Sequence, residues 1–208
     1  MAGAKGSYHH GDLRRALVDA AVELVEARGA EAFSLREAAR EVGVSANATY
    51  RHFPDKRALL GAVARVGLDR LSEKMRRSQG RAARTGDPPT IARFKATGRA
   101  YVAFASDHPE LFRLIFGPPE QRELAPPLGE HPSPYELLGL ALDGLVEDGR
   151  LSASDRVGAE LRAWTVVHGF AALGIGDDAD RRLGSRRERA ASLESLLDFV
   201  VRGLGVAS

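Results

Sequence analysis

Between Ser45 and Arg57 the chain reads SANATYRHFPDKR, in which Asn47, Thr49, Tyr50, Arg51, His52, Lys56 and Arg57 all carry hydrogen-bonding side chains. From Ser45 to Phe53 there is no aspartate or glutamate. A short stretch rich in donors and free of carboxylates suits the surface of a polyanion. Cations and hydroxyls serve phosphate oxygens there, and an amide serves base edges. Lys56 adds to this, because a lysine in the first turn of a helix opposes the helix dipole. A phosphate supplied from outside gives that placement a reason.

These side chains need a frame, and the preceding residues provide one. Ser34 stands three residues before Glu37, the spacing of a capping box: the hydroxyl accepts from the amide of residue 37 and the carboxylate reaches back to the amide of residue 34. Leu35, Ala38, Ala39 and Val42 form one apolar stripe of a helix. Gly43 stops it where positive φ is needed, and Val44 pins the turn into the core. Ser45 is a good N-cap for a second helix, expected from Ser45 to about Phe53 and ended by Pro54. Asp55 caps a third. Two short helices around a glycine turn, the second one polar, form the unit that lays a helix in the major groove of DNA. The competing reading is an ordinary three-helix core whose polar face is merely solvated.

Residues 8–71, and above all GVSANATYRHFPDKRALL from Gly43 to Leu60, resemble the DNA-binding domain of the tetracycline-repressor (TetR) family of bacterial regulators. Tyr50, His52, Phe53 and Lys56 fill that family's pattern. Thr49 departs from it, standing where the family most often has Leu, Ile or Val. Trp164 and His168-Gly169 in AWTVVHGF, with the opening YHHGDLRRALVDAA, resemble the branch whose C-terminal domain is named for its Trp-His-Gly signature. The resemblance implies that Arg36, Ala46, Asn47 and Ala48 approach base edges, with Ser45 at the helix start in the same DNA-binding set. Tyr50, Arg51, His52 and Lys56 then grip phosphates, helped by the arm around Lys5 to His10. It also implies a homodimer built on the last two helices, a palindromic double-stranded operator, and a small-molecule effector that tilts the fourth helix to release DNA.

Composition agrees with such a protein. A chain of 208 residues, 44% hydrophobic, can bury a sizeable core. It has no cysteine, so disulfides and thiolate metal sites are excluded. The opening MAGAKGSYHH has no apolar signal core and no run reaches membrane-spanning length, so a cytoplasmic protein without a membrane partner is expected. The net charge of +2 permits nucleic-acid binding without requiring it. Residues 1–57 are close to neutral, so the placement of Arg51, Lys56 and Arg57 matters more than bulk charge. Lysine occurs only at positions 5, 56, 74 and 95 in an arginine-rich chain.

The periodicity predicts an all-α protein. An N-terminal three-helix helix-turn-helix domain over 1–57 is joined by a helix over 55–77 to a helical effector-binding and dimerisation domain over 78–208. The first helix is expected from about Asp12 to Arg28, closed by Gly29. The basic, proline-broken stretch 76–90 reads as a loop, as does 117–134 with six of the ten prolines. Between and after them, helices are expected over 91–106, from Pro109, over 135–148, over 154–174, and at the chain end. The helix over 154–174 is apolar over most of its circumference and must be covered on two sides. Val167 and Phe170 on it, with Leu193, Leu196, Leu197, Val200 and Leu204 on the last helix, are the candidate dimer interface.

Tyr101, Phe104, Phe112 and Phe116, with Tyr135 as an outlying member, form either a filled core or an apolar pocket for a small effector. Trp164 and His168, one helical turn apart, either pack together or join that pocket. No catalytic residue, metal site or cofactor is expected. There is no Gly-x-Ser-x-Gly, phosphate loop or paired carboxylates beside a histidine, and His108, His131 and His168 lack ligand spacing. A helical adaptor that never touches DNA is the alternative function.

Overall fold

A computed structural model describes residues 10–81, 86–117, 132–176 and 179–207, with side chains from residue 13 onward except at 180. The arm at Lys5 to His10, His131 and the centres of both expected loops therefore lie outside what is described. Among the described residues there are eleven helices and no strand. They are α1 (His10–Ala32), α2 (Leu35–Val42), α3 (Ala46–Tyr50), α4 (Lys56–Arg81), α5 (Pro89–Asp107), α6 (Pro109–Phe116), α7 (Pro134–Glu147), α8 (Ala153–Arg156), α9 (Ala159–Leu173), α10 (Ala179–Leu183) and α11 (Arg186–Gly203).

Two compact units emerge, residues 10–67 with 110–117, and residues 68–109 with 132–207. In the first, α1 is interrupted at Gly29 (φ 80°), where the sequence places its stop. Leu17, Ala21, Val22 and Val25 of α1, Leu35, Ala38 and Ala39 of α2, and Phe53, Leu59 and Val63 beyond them are all buried. The Ser34 hydroxyl accepts from the Glu37 amide at 3.3 Å and donates to the Glu37 carboxylate at 2.9 Å. That carboxylate also pairs with Arg28 at 3.0 Å. The serine hydroxyl, first, and Arg28 hold it below the usual carboxylate range. Gly43 ends α2 at φ 73°, a conformation that a β-carbon would strain.

α3 is shorter than expected, five residues ending at Tyr50. Arg51 and His52 continue as a tightening turn, with the amides of His52 and Phe53 both donating to the Thr49 carbonyl. Pro54 drives the residue before it out of helical geometry. Asp55 caps α4 as the sequence indicates, its carboxylate accepting from the Ala58 amide at 2.7 Å.

In the second unit α5 packs on α7, α9 and α11, and α9 packs on α7 and α11. Phe94, Leu138, Leu142, Leu145, Ala163, Val200 and Leu204 meet in one apolar cluster. The helix expected over 154–174 is two helices, because Gly158 takes φ 71° between α8 and α9. α11 opens with a full capping box, Ser185 with Glu188. α9 is covered on one face only. Ala159, Ala163 and Ala171 are buried, whereas Leu161 and Leu173 are 63% and 49% exposed.

Candidate DNA-reading surface and apolar cavity

The frame of α2, Gly43 and Ser45 decides which side chains of α3 face outward. Ser45 accepts from the Ala48 amide at 3.2 Å and starts the helix. Asn47, Tyr50 and Arg51 are exposed, as is Arg36 on α2. Ala46, Ala48 and His52 are half-buried at the edge of the same face. Phe53 is buried, with the Arg14 guanidinium 4.9 Å from its ring centroid. The predicted reading residues thus lie on two consecutive helices and their turn.

Lys56 is placed differently from the expectation. Its Nζ donates to the Glu31 carbonyl near the end of α1 at 2.8 Å and lies 6.0 Å from the Phe33 ring centroid. A cation at a helix C-terminus is favourable on dipole grounds. The lysine that opposes the dipole of α4 therefore serves the end of α1, and its position needs no external phosphate.

Thr49 is fully buried, and its Oγ1 finds no hydrogen-bond partner among the described residues. A hydroxyl buried in this way costs about 1–3 kcal/mol. The position at which the sequence strays from the resemblance is thus the position that carries an unmet polar group.

In the second unit, Met75, Phe94, Thr97, Gly98, Tyr101, Leu138, Ala163, Trp164, Val167, Leu197 and Val200 line a cavity of about 20 Å³, room for about one water. Of the pocket candidates, Tyr101 and Trp164 line it. His168 adjoins it: the Tyr101 hydroxyl lies 2.8 Å from His168 Nδ1, and Trp164 stacks on the imidazole at 6.3 Å with 9° between planes. Burial pushes the Tyr101 phenol far above its ordinary value, so it keeps its proton. It donates to Nδ1 when the imidazole proton sits on Nε2. Phe104 is buried against His108, while Phe112 and Phe116 pack together in the first unit and do not line this cavity. Sequence reading missed Met75, Phe94, Thr97, Gly98, Leu138 and Ala163. The one signal for them was Gly98, an isolated glycine inside a helical run, which marks close approach.

A charge cluster with one buried member, Lys95, flanks this layer. Lys95 is 6% exposed, and its ammonium meets Asp87 at 2.9 Å and Asp198 at 2.5 Å. One turn along, Arg99 holds Glu194 through two hydrogen bonds of 2.6 Å. Leu197, Val200 and Leu204, expected at a dimer interface, are instead 2–4% exposed inside the protomer. Their side chains complete its core and present no surface to a partner. Val167, Phe170, Leu193 and Leu196 are half-buried, and Phe199, which the sequence reading passed over, is 58% exposed.

Two family profiles match the chain. Residues 17–63 match that of bacterial regulatory proteins, tetR family, and residues 94–200 match that of the tetracyclin repressor-like C-terminal domain. The chain belongs to the TetR family. TetR-family proteins are transcription regulators with a DNA-binding domain and are not enzymes. A protein of unknown function from Rhodococcus sp. RHA1 is 30% identical, with a TM-score of 0.74 over 97% of this chain and 100% of that one. BioQ of Mycobacterium smegmatis is 25% identical, with a TM-score of 0.57 over 95% of this chain and 98% of its own. TetR of Acinetobacter baumannii AYE shares the fold at 19% identity, with a TM-score of 0.62 over 95% and 96% of the two chains. Among the described residues of this TetR-family chain, no group of His, Asp or Glu is placed to hold a metal ion. None of its described helices is long and apolar enough to cross a membrane.

Proposed function

We propose that this TetR-family regulator is a repressor that binds a palindromic operator as a homodimer and releases it when a small molecule enters the second unit. The observation that carries the DNA reading is the outward face of α2 and α3. Arg36, Asn47, Tyr50 and Arg51 are exposed on a capped frame, and α3 holds no carboxylate to repel phosphate. Asn47 is the base-edge reader with Arg36 beside it, the half-buried Ala46 and Ala48 allow close approach to the groove, and Tyr50, Arg51 and His52 grip the backbone. Lys56 acts chiefly by holding the end of α1, so its contribution to phosphate binding is indirect.

The dimer reading rests on what α9 and α11 leave uncovered. Leu161, Thr165, Gly169 and Leu173 form an exposed stripe on α9, and Ser192, Ser195 and Phe199 form one on α11. Such apolar and small faces on two neighbouring helices suit a four-helix bundle with a second copy. The bundle would hold two reading helices about 34–36 Å apart, one turn of DNA. An effector releases DNA only by binding the non-DNA geometry more tightly than the DNA-bound one. Light scattering at micromolar concentration tests the dimer: twice the monomer mass is expected, and Phe199→Glu with Leu161→Glu should halve it. A wild-type monomer would remove the palindrome from the reading.

A further inference from the structure

The chemistry of the cavity wall limits what can occupy it. None of the described residues lining it carries a charge. The nearby cations, the buried Lys95 and the half-buried Arg99, are already committed, Lys95 to Asp87 and Asp198, Arg99 to Glu194. An ionised group entering this space would lose its water without gaining a counter-charge. The wall is aromatic on several sides. Trp164 meets Tyr101 edge-to-face with centroids 4.9 Å apart, and Phe94 lies in the same lining. Tyr135, 45% exposed, covers Trp164 from outside at 5.7 Å.

The space is small, and the structure shows what keeps it so. Gly98 of α5 lies under Leu197 of α11, where an added β-carbon would come within 2.6 Å of Leu197 Cδ2. The leucine tip and the flexible Met75 are the parts of the wall that can turn aside. An apolar cavity opened to about 150 Å³ stays dry and accepts an apolar ring, so a guest fits here only as those side chains move. We propose that the occupant is an uncharged, largely apolar ring compound, seated between α5, α7, α9 and α11 where Leu197 gives way. This deepens the effector reading above and rests on it.

Trp164 is the only tryptophan in the chain and lines the cavity, so its emission reports occupancy. The probes are 4-ethylbenzyl alcohol, 4-ethylbenzoate and 4-ethylbenzylammonium, which share a ring and differ in charge. The alcohol should change Trp164 emission saturably and raise the melting temperature, with both ions at least about tenfold weaker. Gly98→Ala should push Leu197 into the space and weaken the alcohol by about tenfold, whereas Leu197→Ala should bind it at least as tightly as wild type. Equal binding of either ion, or failure of the alcohol on both wild type and Leu197→Ala, overturns the proposal. So does a folded Gly98→Ala that binds the alcohol normally. DNA binding by the same preparations separates the outcomes. Intact DNA binding without alcohol binding removes the ligand class alone, while absent DNA binding removes the regulator reading.

Discussion

The reading head and the cavity layer solve opposite electrostatic problems. In the first unit the polar side chains of α3 point out and the interior is apolar, apart from the single misplaced hydroxyl of Thr49. In the second, charge is drawn inside: Lys95 sits buried between two carboxylates, while the neighbouring cavity wall is neutral. On the proposed function, the contrast follows from the partners. A polyanion is met at a surface, where solvated cations cost little to maintain and attract at a distance. The proposed apolar guest needs a dry chamber, and an ion cluster beside it can fix the helices around that chamber only if its buried lysine is paired.

The largest effect should come from breaking that pairing. Replacing Asp87 and Asp198 together by alanine leaves the buried Lys95 ammonium without its counter-charges; because both carboxylates are part-exposed, the cost should be about 2–3 kcal/mol, below that of breaking a fully buried pair. Urea unfolding followed by Trp164 emission measures it. An unchanged midpoint would show that the cluster is solvated and the contrast false.

Next in size are substitutions on the reading face. Asn47→Ala should relax base preference at one position of each half-site, worth about 1–3 kcal/mol of discrimination. Arg51→Ala should instead weaken all sequences about equally and reduce the salt slope by roughly one per reading head. Lys56→Ala should lower stability along with affinity, since it removes the cation at the end of α1. Competition binding alongside thermal melts distinguishes the three.

Thr49→Val sharpens the comparison from the other side. It deletes the unmet hydroxyl at nearly constant volume and should stabilise the protein by about 1 kcal/mol without altering DNA affinity. A loss of stability on urea titration would mean that the hydroxyl has a partner. The smallest effect is a pH dependence. Asp198 is held below its usual 3.8, first by the Lys95 hydrogen bond. A depressed carboxylate stabilises the fold above its unfolded value and loses that contribution as pH falls through its folded value. Stability should therefore drop below about pH 4 more steeply in wild type than in Asp198→Asn. Parallel curves would remove the carboxylate from the account.

These regions also differ in how far they could be read from sequence. The caps at Ser34, Ser45 and Asp55 and the turn at Gly43 are local signals, each complete within a few residues, and the structure follows them except that the Glu37 carboxylate accepts from the Ser34 hydroxyl and not from the Ser34 amide. Where α3 stopped early, the reason was again local, Pro54 acting on its neighbour. The cavity was less legible because its wall is assembled from α4, α5, α7, α9 and α11, and no short spacing announces that Met75 and Leu197 line one space. The aromatic residues gave the right helix at Tyr101 but also drew in Phe112 and Phe116, which belong to the other unit. Apolar periodicity on α11 could not say whether the stripe faced the protomer's own core or a partner, and Leu197, Val200 and Leu204 turned out to face inward. Lysine scarcity was a missed clue. In an arginine-rich chain, Lys56, Lys74 and Lys95 each hold a defined partner: the Glu31 carbonyl, Asp107 and the two aspartates. A compact ammonium fits such sites better than a planar fork.

On the proposed function, α2 and α3 read DNA from a two-fold dimer. Selecting fragments from random duplex DNA, then measuring affinity against salt, tests it most directly. The account predicts an inverted repeat with half-sites about one turn apart, and an affinity that falls steeply with salt, with a slope that is shallower in Arg51→Ala. No enriched repeat, or a slope unmoved by Arg51→Ala, would contradict it.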